Sequence, residues 1–517
     1  MDLKRRDFLK GMGAGTAGLM LSSCQSLSRL SESSESSAER PNILLILSDD
    51  QGYAQSQAYS DTYTVKSVPP ERRKGYKKSQ IDACIEAANS CMPNIDGLAR
   101  EGMRMLDAHT APTCAPSRTC LMTSRYPQRR GIFCNLDING PGVSPREFFL
   151  PILLQRSGYD TALVGKWHMG LARGQHPLDR GFDHFFGFDG WKGPKYNCDK
   201  LYLGRQRTPA KGFLTDQLSD HAVSYLQNRE NDNPFFMYLC YANPHTPRPE
   251  PPSKYQGRFD TGSEYNDTYY DYLYAMDQGI GRVLKALEES GEAENTIVIY
   301  ATDNGGDWNA GHHQAPFPGN GIYKAGKRTL WEGGIRVPLI MRWPAKIEPG
   351  TDFNEFFHFM DIMPTLLAAA DVKIPSSLQL DGKNALPHIL GQKDGPIHDE
   401  AVFWASEQHR VTDEWQQDYK EWQKLDAEEK KHPGWLFAYL PAAYTARKGK
   451  WKMINPGTGE PELYDLENDP SETTDLTEQR PEILKELVNE YAEWLSQMPK
   501  PVEWYEDKWE ALQPPDL

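Results

Sequence analysis

Beyond its N-terminus the chain has no apolar run near the roughly 18 residues that a membrane-spanning helix needs. Positive charge is in short supply: 57 Lys and Arg stand against 72 Asp and Glu, a formal net charge of −15. A protein whose main partner is nucleic acid needs basic patches for the phosphates, so the acidic balance argues against that partner. A small anion is not excluded, because one pocket can invert the global sign. Cysteine is sparse, 8 in 517 residues, so this is no disulfide-stapled miniprotein, and the length is ample for a large core. No Cys/His set has zinc spacing, and no repeat period stands out. Hydrophobic residues make up 38% and aromatics 11%, enough for most of the chain to fold.

What is present begins with an address. Lys4-Arg5-Arg6-Asp7-Phe8-Leu9-Lys10 is a twin-arginine export pattern ahead of a weakly apolar stretch over 11–21. Leu21-Ser22-Ser23-Cys24 has the form of a bacterial lipobox. Cleavage before Cys24 leaves a lipidated cysteine and predicts an exported protein anchored to membrane in the cell envelope, periplasm or outer membrane. The plainer alternative is a soluble signal peptide with an incidental cysteine. Losing residues 1–23 removes four basic and two acidic residues and takes the net charge to −17. Residues 24–40, rich in Ser and Glu, read as a flexible tether. Cys84, Cys91, Cys120, Cys134, Cys198 and Cys240 could pair in 15 ways. Folding before export in the cytosol predicts one or two bridges at most.

Short apolar, β-branched runs recur at 43–47, 161–164, 235–241, 296–301 and 337–341, with helical stretches between them. That alternation predicts an α/β fold, a large mostly parallel sheet sandwiched by helices, over 41–399. Near-continuous apolar character is what strands buried on both faces show. A helix is expected from Pro93, with Ile95 and Leu98 on one face, and another over 267–289. Residues 54–90, polar and carrying Glu71-Arg72-Arg73-Lys74, read as a long surface insertion. From about residue 400 the pattern changes. Trp415, Tyr419, Trp422 and Leu425 form a helical stripe, 444–454 and 462–466 look like short antiparallel strands, and 483–495 is an amphipathic helix. A smaller C-terminal α+β subdomain over 400–517 is expected.

The polar clusters follow directly after these runs. Asp49-Asp50 follows the first, Lys166 and His168 the second, His245 the third, and Asp303-Asn304 the fourth. In a parallel sheet the carboxyl ends lie along one edge, where ligands bind. Asp49, Asp50, Asp303 and Asn304 all offer oxygens, and Ca²⁺ takes about 6–8 of them. Each aspartate alone could equally be a turn or cap residue. In Cys114-Ala115-Pro116-Ser117-Arg118 the proline suits a first helical turn. Cys114 is therefore expected at a helix N-terminus, where backbone N–H groups favour an anion. It reads as a low-pKa nucleophile or as a structural buried thiol.

The segment Cys114-x-Pro116-Ser117-Arg118, with Leu121, Thr123 and Arg125 at fixed offsets, resembles the signature of the type I, formylglycine-dependent sulfatases of the alkaline-phosphatase-like superfamily. It departs at Ser124, where that family has glycine. The resemblance continues in order through Asp49-Asp50-Gln51-Gly52, Gly165-Lys166-Trp167-His168-Met169-Gly170, Arg180-Gly181-Phe182-Asp183, Pro244-His245-Thr246-Pro247, Asp303-Asn304-Gly305, Gly326-Lys327, Trp331-Glu332-Gly333-Gly334 and Leu463-Tyr464-Asp465-Leu466. It covers roughly residues 41–500.

The resemblance implies an enzyme, a sulfuric ester hydrolase. Cys114 would be converted to formylglycine by a formylglycine-generating maturation enzyme, and the hydrated aldehyde would be the nucleophile. Asp49, Asp50, Asp303 and Asn304, with an oxygen from position 114, would hold one Ca²⁺. Arg118 and Lys166 would hold the formylglycine hydroxyls. His168 would be the base, and Lys327 and His245 would bind sulfate and act as acids toward the leaving alcohol. Trp191, Lys192, Trp308, His312 and His313 could line the pocket mouth, and Arg129 and Arg130 could meet a second anion. An exported, lipid-anchored context favours a sulfated carbohydrate as substrate. Two alternatives remain: a phosphonate or phosphate ester hydrolase of the same superfamily, and a non-catalytic glycan-binding lipoprotein.

Overall fold

The computed structural model describes residues 40–498 except 63, 69, 134, 136–141, 172, 191–195, 199, 308–315, 407–442 and 458–459. The export signal, Cys24, the tether up to residue 39 and the 415–425 stripe lie outside the described residues, as do Trp191, Lys192, Trp308, His312 and His313.

A ten-stranded sheet carries the architecture. At its centre Thr296–Thr302, Asn42–Asp49, Phe235–Pro244, Asp160–Lys166 and His184–Phe188 lie side by side, all parallel. All eight residues of Asn42–Asp49 and all ten of Phe235–Pro244 are buried, which is why these strands read as unbroken apolar runs. Four of the expected runs fall inside these strands. The fifth forms Leu339–Arg342 and pairs antiparallel with Thr296–Thr302. His184–Phe188 and the hairpin Lys200–Leu203 with Gln206–Pro209 extend the other edge; their half-exposed alternation carries little signal in the sequence.

Helices cover both faces, and among the described residues a large apolar core forms on each face, with a small further cluster of Val68, Cys84 and Phe317. Glu264–Glu289 packs with Leu214–Gln227 on one side. Its N-terminus is capped by Ser263, whose hydroxyl accepts from Asn266 N. Pro93–Glu101 starts at its proline, and the Asp277 carboxylate accepts from the N–H groups of Asn94 and Ile95 at 3.0 and 2.9 Å. An acidic group from a neighbouring helix thus satisfies the free donors of that first turn.

Residues 54–90 are not a surface insertion. They contain the helices Gln57–Ser60, Pro70–Arg73 and Lys78–Ser90, and Tyr59, Val68 and Cys84 are fully buried. The Tyr59 hydroxyl donates to Leu339 O at 2.6 Å and accepts from Leu339 N at 3.0 Å, pinning the segment to a sheet strand. A few apolar anchors outweigh the polar average that suggested a loop.

At the C-terminal end Val402–Ser406, Ala443–Lys448, Trp451–Asn455 and Glu462–Asp465 form an antiparallel sheet backed by Pro481–Ser496. It shares the core of the main sheet and one compact unit with it. Buried charges join the two. Lys452 Nζ lies 2.9 Å from Glu332 and 2.7 Å from Glu472, and Arg447 reaches Asp107 at 2.5 Å. Cys84, Cys91, Cys114, Cys120 and Cys240 are buried thiols, and Cys134 lies outside the described residues. Among the described residues no helix is long and apolar enough to cross a membrane.

Candidate active site

The sheet edge expected to gather the chemistry does so. Asp49 ends its strand in register with Pro244, the last residue of the neighbouring strand. Lys166 ends the next strand, and Asp303-Asn304 follow Thr296–Thr302. Cys114 opens the helix Cys114–Thr123 with Pro116 in its first turn, where a missing N–H costs nothing. The helix closes on Ser124, at φ 55° in the left-handed region that favours glycine. Ser124 Oγ donates to Met360 O at 2.7 Å, and its carbonyl accepts from Asp381 N at 2.9 Å. These bonds hold a serine where the family has glycine.

Cys114 Sγ lies 3.3 Å from Asp49 Oδ1 and 3.9 Å from Asp50 Oδ1. Each carboxylate has its own cation. Lys166 Nζ donates to Asp49 at 2.6 Å and Lys327 Nζ to Asp50 at 2.6 Å, while Arg118 reaches Asp303 through Nε at 3.1 Å and Nη2 at 2.8 Å. None of these six side chains belongs to a residue more than 6% exposed. Three carboxylates balance three cations, so the pocket has no surplus charge of its own with which to hold an anion.

The donor set fits a hard dication. Ligand atoms of Asp49, Asp50, Cys114 and His245 lie within 4.8 Å of one another. Asp303 Oδ1 accepts from Asp50 N at 3.3 Å, and Asn304 Nδ2 donates to Asp50 Oδ1 at 2.9 Å. Asn304 Oδ1 is buried with no hydrogen-bond partner among the described residues, an acceptor that calls for a ligand.

Burial pushes the Cys114 thiol well above its usual range, Asp303 and Asp49 add to this, and Lys166 and Lys327 only partly oppose it. The low-pKa thiol is therefore not what this site makes: the helix N-terminus is outweighed by desolvation and two carboxylates. Burial also drives His168 far down, reinforced by Lys166 and Arg118, so it is a neutral imidazole. Both its ring nitrogens lack partners among the described residues. His168 sits at φ 61° and Asp50 at φ 68°, strained backbone at functional positions. Burial pulls His245 down to about 3 against Asp50, and its Nδ1 contacts Thr246 O. For Asp50, burial raises the carboxyl, but Lys327 and His245 outweigh it and hold it well below the carboxylate range. Lys327 is raised despite burial because Asp50 faces it.

Sequence reasoning missed Asp189. It follows the strand His184–Phe188, and its carbonyl accepts from His168 N at 2.6 Å. Burial pushes its carboxyl up to about 6, with Lys166 opposing, and its Oδ1 has no partner among the described residues. The strand-end rule that found the other clusters would have found it, had this weakly patterned strand been recognised. Gly190, at φ 103°, then lets the chain close over Lys166, since a Cβ there would lie 2.6 Å from its Cγ. Arg129 and Arg130 are already occupied: Arg129 is bidentate to Asp381 and Arg130 is paired with Glu147.

The cluster lies on the carboxyl edge of the sheet, where α/β folds of this kind bind their ligands. The Sulfatase family model matches residues 41–372, and the model described as N-sulphoglucosamine sulphohydrolase, C-terminal, matches residues 321–425. The uncharacterized sulfatase YdeN of Escherichia coli is 32% identical over 497 residues, 90% of this chain and 87% of that one. Human N-acetylgalactosamine-6-sulfatase is 30% identical, across 70% of this chain and 68% of its own. The crystal structure of Ps i-CgsB in complex with k-i-k-neocarrahexaose superposes with a TM-score of 0.73 at 28% identity, covering 92% of this chain and 96% of that one. The chain belongs to the sulfatase family. It is a sulfuric ester hydrolase with the alkaline-phosphatase-like fold.

Proposed function

We propose that this enzyme removes sulfate from a sulfated carbohydrate, using a formylglycine made from Cys114 and one bound Ca²⁺. The observation that carries this reading is position 114 itself. It opens a buried helix 3.3 Å from Asp49, among three carboxylates matched by three cations, beside the unpartnered Asn304 Oδ1. Asp49, Asp50, Asp303 and Asn304 would hold the calcium, whose two charges offset the sulfate and favour an ionised nucleophile in a pocket otherwise neutral. A hydrated aldehyde at position 114 supplies a nucleophile with a second hydroxyl, so sulfate can leave without water attacking an anion.

The chain's own residues supply the rest. Lys166 and Arg118, fixed by Asp49 and Asp303, orient the nucleophilic group at position 114. His168, neutral and unpartnered, takes the proton from that group. Lys327, held protonated by Asp50, meets the sulfate oxygens and gives a proton to the leaving oxygen. His245, neutral in this state, is a second contact for the sulfate.

A carbohydrate substrate is supported by the relative that holds k-i-k-neocarrahexaose at 28% identity. The export pattern and lipobox support an envelope location with Cys24 lipidated, and maturation at position 114 by a formylglycine-generating enzyme before export. We assign the catalytic domain to 41–399 and the C-terminal subdomain to 400–517 on the change of sequence pattern near residue 400. Mass spectrometry of the tryptic peptide Met105–Arg118 from the native host tests the reading: an aldehyde mass supports it, and an unmodified thiol overturns the proposed nucleophile. Sulfate release from a panel of sulfated saccharides and aryl sulfates tests the substrate class; turnover of the aryl sulfates alone would reject it.

A further inference from the structure

Arg248 lies three residues beyond His245 and is half-buried. Its Nη1 donates to Pro244 O at 2.6 Å, and Pro244 is the residue in register with Asp49. The guanidinium lies over two rings of one helix, 4.9 Å from Tyr265 and 5.1 Å from Tyr269. Tyr269 OH accepts from Gly52 N at 3.5 Å, so the stack is tied to the segment that carries Asp49 and Asp50. Tyr269 is 1% exposed and Tyr265 38%, so the pair of rings runs from core to surface.

This arginine is rigidly held and has charge to spare. Among the described residues it makes no ion pair; the neutral Tyr265 hydroxyl interacts with the guanidinium, and Nη2 is buried with no hydrogen-bond partner. Arg129 and Arg130, by contrast, spend their charge on Asp381 and Glu147. A buried guanidinium N–H left unmade is costly, and a planar fork of donors suits a sulfate or carboxylate.

We propose that Arg248 binds a second anionic group of the substrate, a sulfate or a carboxylate on the same saccharide as the scissile ester. Arg248 is then a specificity residue, selecting multiply charged glycans over singly sulfated ones. The proposal rests on the sulfated-carbohydrate reading above.

Three saccharides of one backbone test it: one with a single sulfate, one with an added sulfate, one with an added uronic carboxylate. Wild-type enzyme should prefer at least one doubly charged saccharide in kcat/KM, and the preferred one identifies the anion. In Arg248→Gln that preference ratio should fall by about tenfold to a hundredfold, mainly through KM. Arg248→Lys, a charge without the fork, should recover part of it. An unchanged ratio, or an equal proportional loss on all three substrates with a lowered Tm, overturns the proposal. Should the wild type release sulfate from no saccharide, the carbohydrate reading falls by itself. The same saccharides then compete against para-nitrophenyl sulfate. Weaker inhibition of the variant by a doubly charged saccharide supports the Arg248 site, and equal inhibition overturns it.

Discussion

Asn304 donates its amide nitrogen to Asp50 Oδ1 and to Gly305 O, both at 2.9 Å, and so turns its own Oδ1 into the pocket without a partner among the described residues. Two acceptors fix the amide's orientation, and its oxygen is left for a cation. Asn304→Ala should weaken Ca²⁺ binding by on the order of 10–100-fold or more, read by calorimetric titration of chelator-treated enzyme. Unchanged affinity would remove Asn304 from the ligand set.

Cys114→Ser should keep the fold, because the new side chain is smaller and its helix is held by backbone bonds and by Ser124. Turnover should fall by about 10³-fold or more, since a serine ester offers no second hydroxyl to expel sulfate. Intact-mass analysis after incubation with substrate should find a sulfated serine. Sustained turnover in the serine variant would reject the proposed nucleophile.

Lys452 joins Glu332 and Glu472, and all three are fully buried. Lys452→Met leaves Glu472 without its cation and Glu332 with only Arg336 and His109, at a cost of about 3–5 kcal/mol. Urea denaturation should show that loss. Adding Glu472→Gln to Lys452→Met should recover part of it, because the unpaired carboxylate is gone. Glu472 Oε2 also accepts from Glu332 N at 2.7 Å, and Glu332 lies five residues from Lys327, so kcat should fall in the single variant.

Asp96 gives a pH dependence of known sign. Burial pushes its carboxyl up to about 7 from 3.8, against the bond from Ala58 N and with help from Asp277. Between those values the native state holds a proton that the unfolded chain has lost, so stability falls as pH rises through that window. Asp96→Asn removes the loss and can keep the Ala58 bond. The variant should match wild type near pH 4 and exceed it by about 1–3 kcal/mol at pH 8 in denaturant titrations. Equal stability at both pH values would contradict the raised carboxyl.

Much of the site was legible because buried parallel strands announce themselves. Asp49, Lys166 and Asp303 were placed on one edge from apolar runs alone, and Cys114 at a helix start from Pro116. Asp189 was not, because His184–Phe188 is only half buried and alternates too weakly to read as a strand. Residues 54–90 misled in the opposite sense, since their composition is polar while Tyr59, Val68 and Cys84 are core.

By itself the sequence determined the class of fold, the order of strands that carry chemistry, and the family signature around Cys114. These depend on local pattern: apolar periodicity, a proline in a first turn, polar residues at strand ends. Only the tertiary structure decided charge states and availability. Cys114 carries a raised rather than a lowered pKa because burial, Asp303 and Asp49 outweigh its helix N-terminus. Arg129 is committed to Asp381 while Arg248 is not. Both outcomes follow from which charges distant segments bring within a few ångströms, and from how completely water is excluded there.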